Sequence, residues 1–575
     1  MQRRSIPAIL EEIGALLDIQ GDNPYRAQAY HNAAKILSGL DNLESIIAEE
    51  RLREVKGIGE TLSLKIAEYL ETGQIAFHEE LKQKVPVSLI ELLQIPNLGP
   101  AKIKMLHDKL GVANVGELEY ACRENRLVNL RGFGEKTQGK ILKGIEFFRE
   151  HKGEFLLGEA YPLAMRLKER LGQAADPAHL EVCGSVRRRN EIVRDIDILA
   201  AAADWAGISA NFISMPEVEE ILAEGETKTS CRLVSGINAD LRVVPETSYA
   251  PALIYFTGSK EHNVRLRGLA KARGLTLNEY GLFEAERRIP LATEADVYAS
   301  CGLAFIPPEL REDSGEIEAA GNGSLPRLVE EADLKGAFHV HTSASDGRDD
   351  LEAIARVARR MGLAYVGIAD HSRSAAYAGG LKVDDVHRQW EAIDRFNARN
   401  DDFYFFKGIE SDILTDGTLD YDDETLAGFD FVVASIHSGF SMSGPVMEER
   451  IIRAMRSPFT TILGHPTGRL LLAREGYRVD MGAIIEAAAE YGVVIELNAS
   501  PYRLDIDWRQ LRRARDLGVL ISIDPDAHAA DGLEDLFYGI GTARKGWLTS
   551  AGVLNTKGTD EMRQFLRRLR DEKGY

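Results

Sequence analysis

Two sets of residues in this chain have the types and spacing of phosphate chemistry. In GSVRRRNEIVRDIDILA, Gly184 to Ala200, a Gly-Ser turn and a run of arginines precede a strand carrying Asp195 and Asp197. Strand residues i and i+2 project from one face, so these two carboxylates can converge on one cation or a close pair. Val193, Ile196, Ile198 and Leu199 supply a buried strand to hold them. The turn offers backbone N–H groups and the Ser185 hydroxyl to a phosphate, and Arg187 and Arg188 add charge. The second set is richer in nitrogen. Of 13 histidines, seven follow residue 333, and six of these (His339, His341, His371, His437, His465 and His528) close short apolar strands. Asp346, Glu410 and Asp526 bring the candidate ligands to nine. Mixed imidazole and carboxylate ligation suits Zn²⁺, Mn²⁺ or Fe²⁺ better than Mg²⁺ alone, and nine ligands suggest a cluster of two or three ions able to activate water and grip a phosphoryl group. His387, in the helical DDVHRQWEAI, is the exception and reads as structural.

The elements that would position these residues follow from periodicity. Residues 1 to about 150 read as helical throughout, with apolar positions three and four apart. Within them a pattern recurs: VKGIGETLSLKIAEYL from Val55, IPNLGPAKIKML from Ile95 and LRGFGEKTQGKIL from Leu130. The key positions are Gly57 and Gly59, Asn97 and Gly99, and Gly132 and Gly134. Asn97 replaces a glycine and is the non-glycine residue best able to keep the turn. Each copy sets a close-approach turn before a helix N-terminus, a clamp for phosphate that ignores base sequence. From about 151 to 315 the pattern becomes mixed α/β, with ADLRVVP placing Asp240 on a second strand. Residues 312–332 read as a flexible acidic Gly/Ser-rich linker. After it, AFHVH, AYVGIADHS, FYFFKGIES, FDFVVASIHS, TTILGHP, GVVIELNAS and GVLISIDPDAH alternate with helical segments, which predicts a parallel sheet closed into a barrel with its chemistry at the C-terminal strand ends.

Composition narrows the class. At 575 residues the chain is too long for a single core, since these rarely exceed roughly 250–300 residues. No apolar run reaches the roughly 18 residues of a membrane span, and the N-terminus reads as an amphipathic helix, not a signal peptide. Cys122, Cys183, Cys231 and Cys301 are scattered, so neither a disulfide framework nor a C-x-x-C metal site is indicated, and a reducing cytoplasm is expected. The net charge of −20 does not exclude nucleic acid, because phosphate binding needs local patches and backbone donors.

The order of helix-hairpin-helix repeats, GSVRR…DID, DLR and YFTGS…N…R…NEY resembles the family X DNA polymerases (DNA polymerase beta-like) over residues 1–315. The resemblance implies a carboxylate triad of Asp195, Asp197 and Asp240 holding two Mg²⁺ ions for in-line nucleotidyl transfer. It further implies that Gly184, Ser185 and Arg188 contact the dNTP triphosphate. Tyr255, Phe256 and Gly258 would pack the sugar, Asn263 would contact the incoming base pair, and Arg267 would brace the template. Family members with lyase activity use a helix lysine to form a Schiff base. That position falls on Lys65, but Thr61 and Phe77 stand where lysines would support it, so a solvated helix lysine is the expectation.

HVHTSASDG, ADHS, GIES, SIHS, GHP and DPDAH resemble the polymerase-and-histidinol-phosphatase (PHP) domain family, which implies a seven-stranded β/α barrel, an active phosphoesterase and a Mn²⁺ or Zn²⁺ cluster. Beside a polymerase, a 3′→5′ exonuclease acting on the primer end is expected. Arg373, Lys382 and Arg469 lie near motif ends and are candidates for holding substrate phosphates. The expected organisation is a lyase-like helical region 1–80 with the first hairpin, DNA-binding fingers 81–150 with two more, a nucleotidyltransferase palm 151–246, a thumb 247–315, a linker 316–332 and a PHP domain 333–575. The expected partners are gapped or primed duplex DNA and dNTPs, with no membrane, and the chain is expected to act as a monomer in short-gap DNA repair. The alternatives are a DNA-binding repair scaffold or nuclease in which one metal site is structural, and a small-molecule phosphatase. Three phosphate clamps argue against the last.

Overall fold

The computed structural model describes all residues except 1–5, 22–23, 39–50, 53–54, 56–57, 94, 96–97, 129, 150–152, 176 and 575. Gly57 and Asn97 therefore lie outside the described residues. The chain divides into two compact units, 1–149 and 150–575.

The first unit is helical, as the three- and four-residue spacing predicts. Helices Ile6–Gln20 and Pro24–Ser38 pack through Leu10, Ile13, Leu17, Tyr30, Ala33 and Leu37, which are almost fully buried. The three repeats share one backbone device. Ile58 N donates to Val55 O (3.0 Å), Leu98 N to Ile95 O (3.2 Å) and Phe133 N to Leu130 O (3.0 Å), and each donor's side chain is buried. Each turn feeds a helix: Glu60–Thr72, Pro100–Leu110 and Glu135–Arg149.

In the second unit the first sheet has the strand order His179–Val182, Asp195–Ala201, Asn238–Val244, Lys228–Leu233, Val218–Glu224. The central pair, Asp195–Ala201 with Asn238–Val244, is parallel and puts Asp197 opposite Asp240. Alternation does the sorting along the central strand. Ile196, Ile198 and Ala200 join a core with Leu167, Phe212 and Leu241, while Leu199, on the carboxylate face, packs with Cys183, Ala252 and Leu253.

A smaller part follows, with an antiparallel sheet of Leu275–Asn278, Gly281–Glu284 and Arg287–Ile289 beside helix Lys260–Ala272. The stretch expected to be a flexible linker is ordered instead. Glu316–Asn322 is a helix, Leu328 and Val329 are buried, and the fully buried Glu316 carboxylate meets His262 Nδ1 at 2.7 Å. Small and acidic residues suggested a solvated tether, but this carboxylate has a buried imidazole partner 54 positions away.

The C-terminal part holds seven parallel strands in sequential order: Gly336–Val340, Tyr365–Ile368, Tyr404–Asp412, Phe431–Ser435, Ile462–Leu463, Val494–Asn498 and Ile521–Asp524. Nearly every strand residue is buried, as a parallel sheet covered on both faces requires. The sheet comes close to closing, because Val340 bridges Ala527 in parallel, His341 N donates to Ala527 O (2.9 Å) and Phe338 N donates to Asp524 Oδ1 (2.8 Å). Phe338, Tyr365, Phe406 and Phe431 form one aromatic cluster. A Cβ on Gly367 would sit 2.3 Å from Phe338 and one on Gly408 2.2 Å from Phe431, so both glycines make room for the rings.

Candidate active sites

The carboxylate site forms where the sequence places it. Asp195 and Asp197 share a strand face and Asp197 stands opposite Asp240, so all three carboxylates lie on one side of the sheet. Burial first, then the Asp195 and Asp240 charges, push the Asp197 carboxyl up to about 7. The three carboxylates share one face, and burial, then the Asp240 charge, raise Asp195 as well; a divalent cation would remove this repulsion. Two basic and polar neighbours escaped sequence reasoning. Lys228 Nζ lies 2.6 Å from Asp240 Oδ2, and Ser230 Oγ donates to Asp240 Oδ1 at 2.6 Å. Both sit on the adjacent antiparallel strand, a pairing not visible before the register is known.

Gly184 has φ +61°, and an added Cβ would lie 2.2 Å from Asp197 Oδ2. The turn thus needs glycine on two counts, conformation and contact. Arg187 donates to Thr257 Oγ1 (2.6 Å) and forms a two-pronged pair with Glu294 (2.9 and 2.7 Å). Arg188 donates to Thr257 O (2.5 Å) and, through Nε, to Glu312 Oε1 (3.0 Å). Gly258, with φ +74°, lets Arg188 pass, since a Cβ there would be 2.9 Å from its guanidinium. The turn and YFTGS are therefore one assembly. Tyr255 and Phe256 meet edge to face (5.1 Å), Arg242 lies over Phe256 (4.9 Å), and the Asn263 amide donates to Tyr255 O (2.8 Å). Arg267 is exposed on helix Lys260–Ala272 and is not drawn into this assembly.

The second site gathers all nine expected ligands. His339 Nε2 lies 3.2 Å from Glu410 Oε1 and 3.4 Å from Asp526 Oδ1, and His341 Nε2 lies 3.3 Å from Asp526 Oδ1. His371 Nδ1 approaches Glu410 Oε2 at 2.8 Å and its Nε2 approaches Asp346 at 3.5 Å. His437 and His465 reach Glu410 Oε1 at 3.2 and 3.0 Å, and His528 reaches Asp346 at 3.4 Å. The donor atoms fall into overlapping groups: His341, Asp346, His371 and His528; His339, Glu410 and His465; His339, His341 and Asp526; and His371, Glu410 and His437. Glu410, His339, His341 and His371 each belong to two groups, so the groups form one continuous cluster. Buried polar atoms without a hydrogen-bond partner are rare, yet His339 Nε2, both His341 nitrogens, Asp346 Oδ2 and Glu410 Oε2 are buried and unbonded. Donor atoms of this kind, turned on a common centre, fit a cluster of divalent cations.

The imidazoles divide electrostatically: burial works against charge in each, but nearby carboxylates outweigh it at His339, which lies well above 6.5, at His371, raised to about 10, and at His437, raised to about 9. Burial, with His528 and His371 nearby, lowers His341 to about 3, and burial with Arg503 lowers His465 to about 3. Both imidazoles keep free lone pairs. Burial would raise the Glu410 carboxyl, but His437, His339 and His371 outweigh it and hold it well below the usual carboxylate range. His339, His465 and Asp526 have φ of +54°, +24° and +53°, a conformation that non-glycine residues rarely adopt and that clusters at functional sites.

The residues that orient these ligands were missed. Glu496 Oε1 meets His339 Nδ1 at 2.5 Å, Asp412 Oδ1 meets His437 Nδ1 at 2.6 Å, and the Asn498 amide donates to Asp526 Oδ2 at 3.0 Å. Asp370 accepts from Thr342 N (2.8 Å) and Thr342 Oγ1 (2.7 Å), fixing the loop that carries Asp346. Such partners set the imidazole tautomer and aim. A signal existed: Glu496 and Asn498 are i and i+2 in apolar VVIELN, and Asp412 is i+2 from Glu410. Arg469, a candidate phosphate ligand, is instead occupied by Arg503 O and Asp507, both at 2.9 Å. Arg373 stays half-exposed beside Asp420.

In the first unit Gly59 and Gly99 cap their helices with no side-chain cap, and Gly134 leads into the third. A Cβ on Gly59, Gly99, Gly132 or Gly134 would meet nothing within 4 Å, so internal packing does not demand glycine there, although Gly132 needs it for φ +90°. Lys65 is not the solvated lysine expected. It is partly buried, its ammonium lies 4.3 Å from the Phe77 ring with Arg26 on that ring at 4.4 Å, and burial followed by Arg26 lowers its pKa. Phe77, standing where a lysine was expected, packs its ring against the Lys65 ammonium.

A parallel-stranded barrel with a nine-ligand centre, joined to a carboxylate-bearing sheet and hairpin clamps, defines a two-centre, metal-dependent enzyme of DNA phosphodiester chemistry. Comparison with known families agrees. A helix-hairpin-helix domain matches residues 1–75, a SAM-like helix-hairpin-helix tandem 89–146, the DNA polymerase beta thumb 252–312 and the PHP domain 337–500. A Bacillus subtilis protein named DNA polymerase/3′-5′ exonuclease PolX is 36% identical over 99% of this chain and 100% of its own length. The rat DNA polymerase lambda is 26% identical over 53% of this chain and 55% of its own. A probable phosphatase of Caldanaerobacter subterraneus is 28% identical over 41% of this chain and 92% of its own. The chain belongs to the PolX family of family X DNA polymerases with a C-terminal PHP domain. Among the described residues no helix is long and apolar enough to cross a membrane.

Proposed function

We propose that the chain is a DNA-directed DNA polymerase that fills short gaps in DNA repair, and that its PHP barrel removes nucleotides from the primer 3′ end. The observation that supports this reading is the presence of two separate groupings in one chain, Asp195, Asp197 and Asp240 on one face of the sheet and nine His, Asp and Glu residues gathered on the barrel. Asp195, Asp197 and Asp240 would hold Mg²⁺, and His339, His341, Asp346, His371, Glu410, His437, His465, Asp526 and His528 a Mn²⁺ or Zn²⁺ cluster. Divalent cations at these centres supply positive charge for the transferring phosphoryl group and make hydroxyl or water more acidic.

The rest is done by the chain's own groups. The backbone N–H groups of the Gly184-Ser185 turn and the Arg188 guanidinium bind the triphosphate, with Glu312 releasing Arg188 to do so. Ser230 and Lys228 hold Asp240 in place beside Asp197. Tyr255 and Phe256, fixed edge to face, form the wall against the sugar, and Asn263, anchored to Tyr255 O, faces the base pair; Arg267, exposed on the next turn, meets the template. Gly59, Gly99, Gly132 and Gly134 bring helix N-termini against DNA phosphates, and the sequence pattern assigns Gly57 and Asn97, outside the described residues, the same role. In the barrel, Glu496 and Asp412 hold His339 and His437 so that Nε2 faces the centre. The enzyme acts as a monomer on gapped or primed duplex DNA in the cytoplasm, with the palm at 151–246 and the thumb at 247–315.

A second reading has one specific support: the depressed Lys65 pKa beside Arg26 and Phe77 suits Schiff-base chemistry on an abasic sugar. Borohydride trapping on abasic DNA tests it, and a Lys65→Ala variant that still cross-links would refute it. The main reading is tested with a labelled primer on a gapped duplex: extension with dNTPs and Mg²⁺, and shortening without dNTPs in Mn²⁺. A primer left intact under both conditions would refute it.

A further inference from the structure

The turn that would bind the triphosphate is backed by the C-terminal barrel, residue by residue. Lys545 ends the outer helix Leu536–Lys545 and is only 2% exposed. Its ammonium donates to Asn190 Oδ1 (2.8 Å), Arg188 O (3.2 Å) and Glu312 Oε1. Arg189, with φ +58°, lies against the Tyr161–Phe537 ring pair, whose centres are 4.7 Å apart, its guanidinium carbon 4.2 and 4.1 Å from them. Glu191 faces Arg469 (3.9 Å) and Arg509 (3.7 Å). Four consecutive residues, Arg188 to Glu191, thus each meet a barrel side chain.

We propose that Lys545 is a positioning residue for nucleotide binding at the polymerase site, acting by sharing Glu312 with Arg188; this rests on the reading of Arg188 as a triphosphate ligand. Arg188 Nε and the Lys545 ammonium converge on the same oxygen, Glu312 Oε1. An incoming triphosphate must draw Arg188 away from that carboxylate. Leaving a half-buried carboxylate without a counter-ion would oppose the exchange. Lys545 supplies the counter-ion that stays behind while the guanidinium changes partner. The barrel is therefore part of the nucleotide site as well as the seat of a second activity.

The test is steady-state dNTP incorporation on a gapped duplex by full-length, cation-loaded enzyme: wild type, Lys545→Met, Lys545→Met with Glu312→Gln, and Arg188→Ala. Lys545→Met should raise the dNTP KM about tenfold and leave kcat within about twofold, with unchanged primer degradation. The double variant removes the competing carboxylate and should return KM to the wild-type value or below. An unchanged KM in Lys545→Met, or a double variant as impaired as the single, would overturn the inference, the latter because Lys545 would then merely prop the fold. If Arg188→Ala also leaves KM unchanged, the triphosphate reading falls with it; if Arg188→Ala raises KM and Lys545→Met does not, the inference alone falls. Should Lys545→Met fail to fold, the double variant decides, with KM at or below wild type in support and a raised KM against.

Discussion

Gly184 and Asp197 are matched so closely that a single methyl group cannot be placed between them: a Cβ on Gly184 would stand 2.2 Å from Asp197 Oδ2. The Gly184 turn and the Asp197 carboxylate are thereby locked into one geometry, with Cys183 N donating to Asp197 O at 2.7 Å just before the turn.

Gly184→Ala should therefore displace the Asp197 carboxylate and strain a φ of +61°. Displacement by about 1 Å lowers turnover by roughly 100-fold in a positioned site. Primer extension should fall by that order, while primer degradation, which depends on the barrel, should stay at the wild-type rate. Equal loss of both activities would mean a folding defect instead.

Glu496 accepts from His339 Nδ1 and from His465 N, both at 2.5 Å. Glu496→Gln keeps the volume and weakens the hold on the imidazole, so the metal concentration for half-maximal exonuclease activity should rise roughly 10–100-fold, the range typical of such partners. Polymerase activity supplies the internal control. An unshifted metal titration would remove Glu496 from the account.

The hairpin glycines separate binding from stability. Gly59 and Gly99 have negative φ and open space where a Cβ would go, so Gly59→Ala with Gly99→Ala should leave thermal stability unchanged or raise it by up to about 1 kcal/mol per site. Affinity for gapped duplex, read by fluorescence anisotropy, should weaken severalfold because the methyl groups hold the phosphate off the helix N-termini. Undiminished binding would make these turns ordinary connections.

His262 sits fully buried between Glu316 (Nδ1, 2.7 Å) and the Tyr298 hydroxyl (Nε2, 2.9 Å), with Arg311 and Asp313 also within electrostatic reach. Burial lowers its pKa below the ordinary 6.5. Burial works against the Glu316 carboxylate, but its bonds to His262 and to backbone N–H groups win and lower it below 4.5. Both groups bind fewer protons folded than unfolded, so stability falls with pH: from about 6.5 downward for His262 and below about 4.5 for Glu316. The melting temperature should drop between pH 7 and 5, and by less in His262→Gln. Equal pH slopes would contradict the assignment.

Much of this was legible in the sequence because it rests on short periods. Asp195 and Asp197, His339 and His341, and the three hairpin turns are each set by i, i+2 or i, i+3 relations that need no tertiary information. What was not legible depends on strand register or on contacts far apart along the chain. Lys228 meets Asp240 only because two antiparallel strands align them, and Glu316 reads as linker until His262 is found against it. The partners of Arg469, Arg503 O and Asp507, lie 34 and 38 positions away and leave no local trace in the sequence. The left-handed backbone of His339, His465 and Asp526 leaves no trace in residue type.

The central claim is that one chain carries two independent phosphodiester centres, and separation of function tests it most directly. On a gapped duplex with a labelled primer, Asp195→Ala with Asp197→Ala should abolish dNTP incorporation and spare primer degradation, while His339→Ala with His341→Ala should do the reverse. Extension surviving in the first double variant, or degradation surviving in the second, would contradict the account.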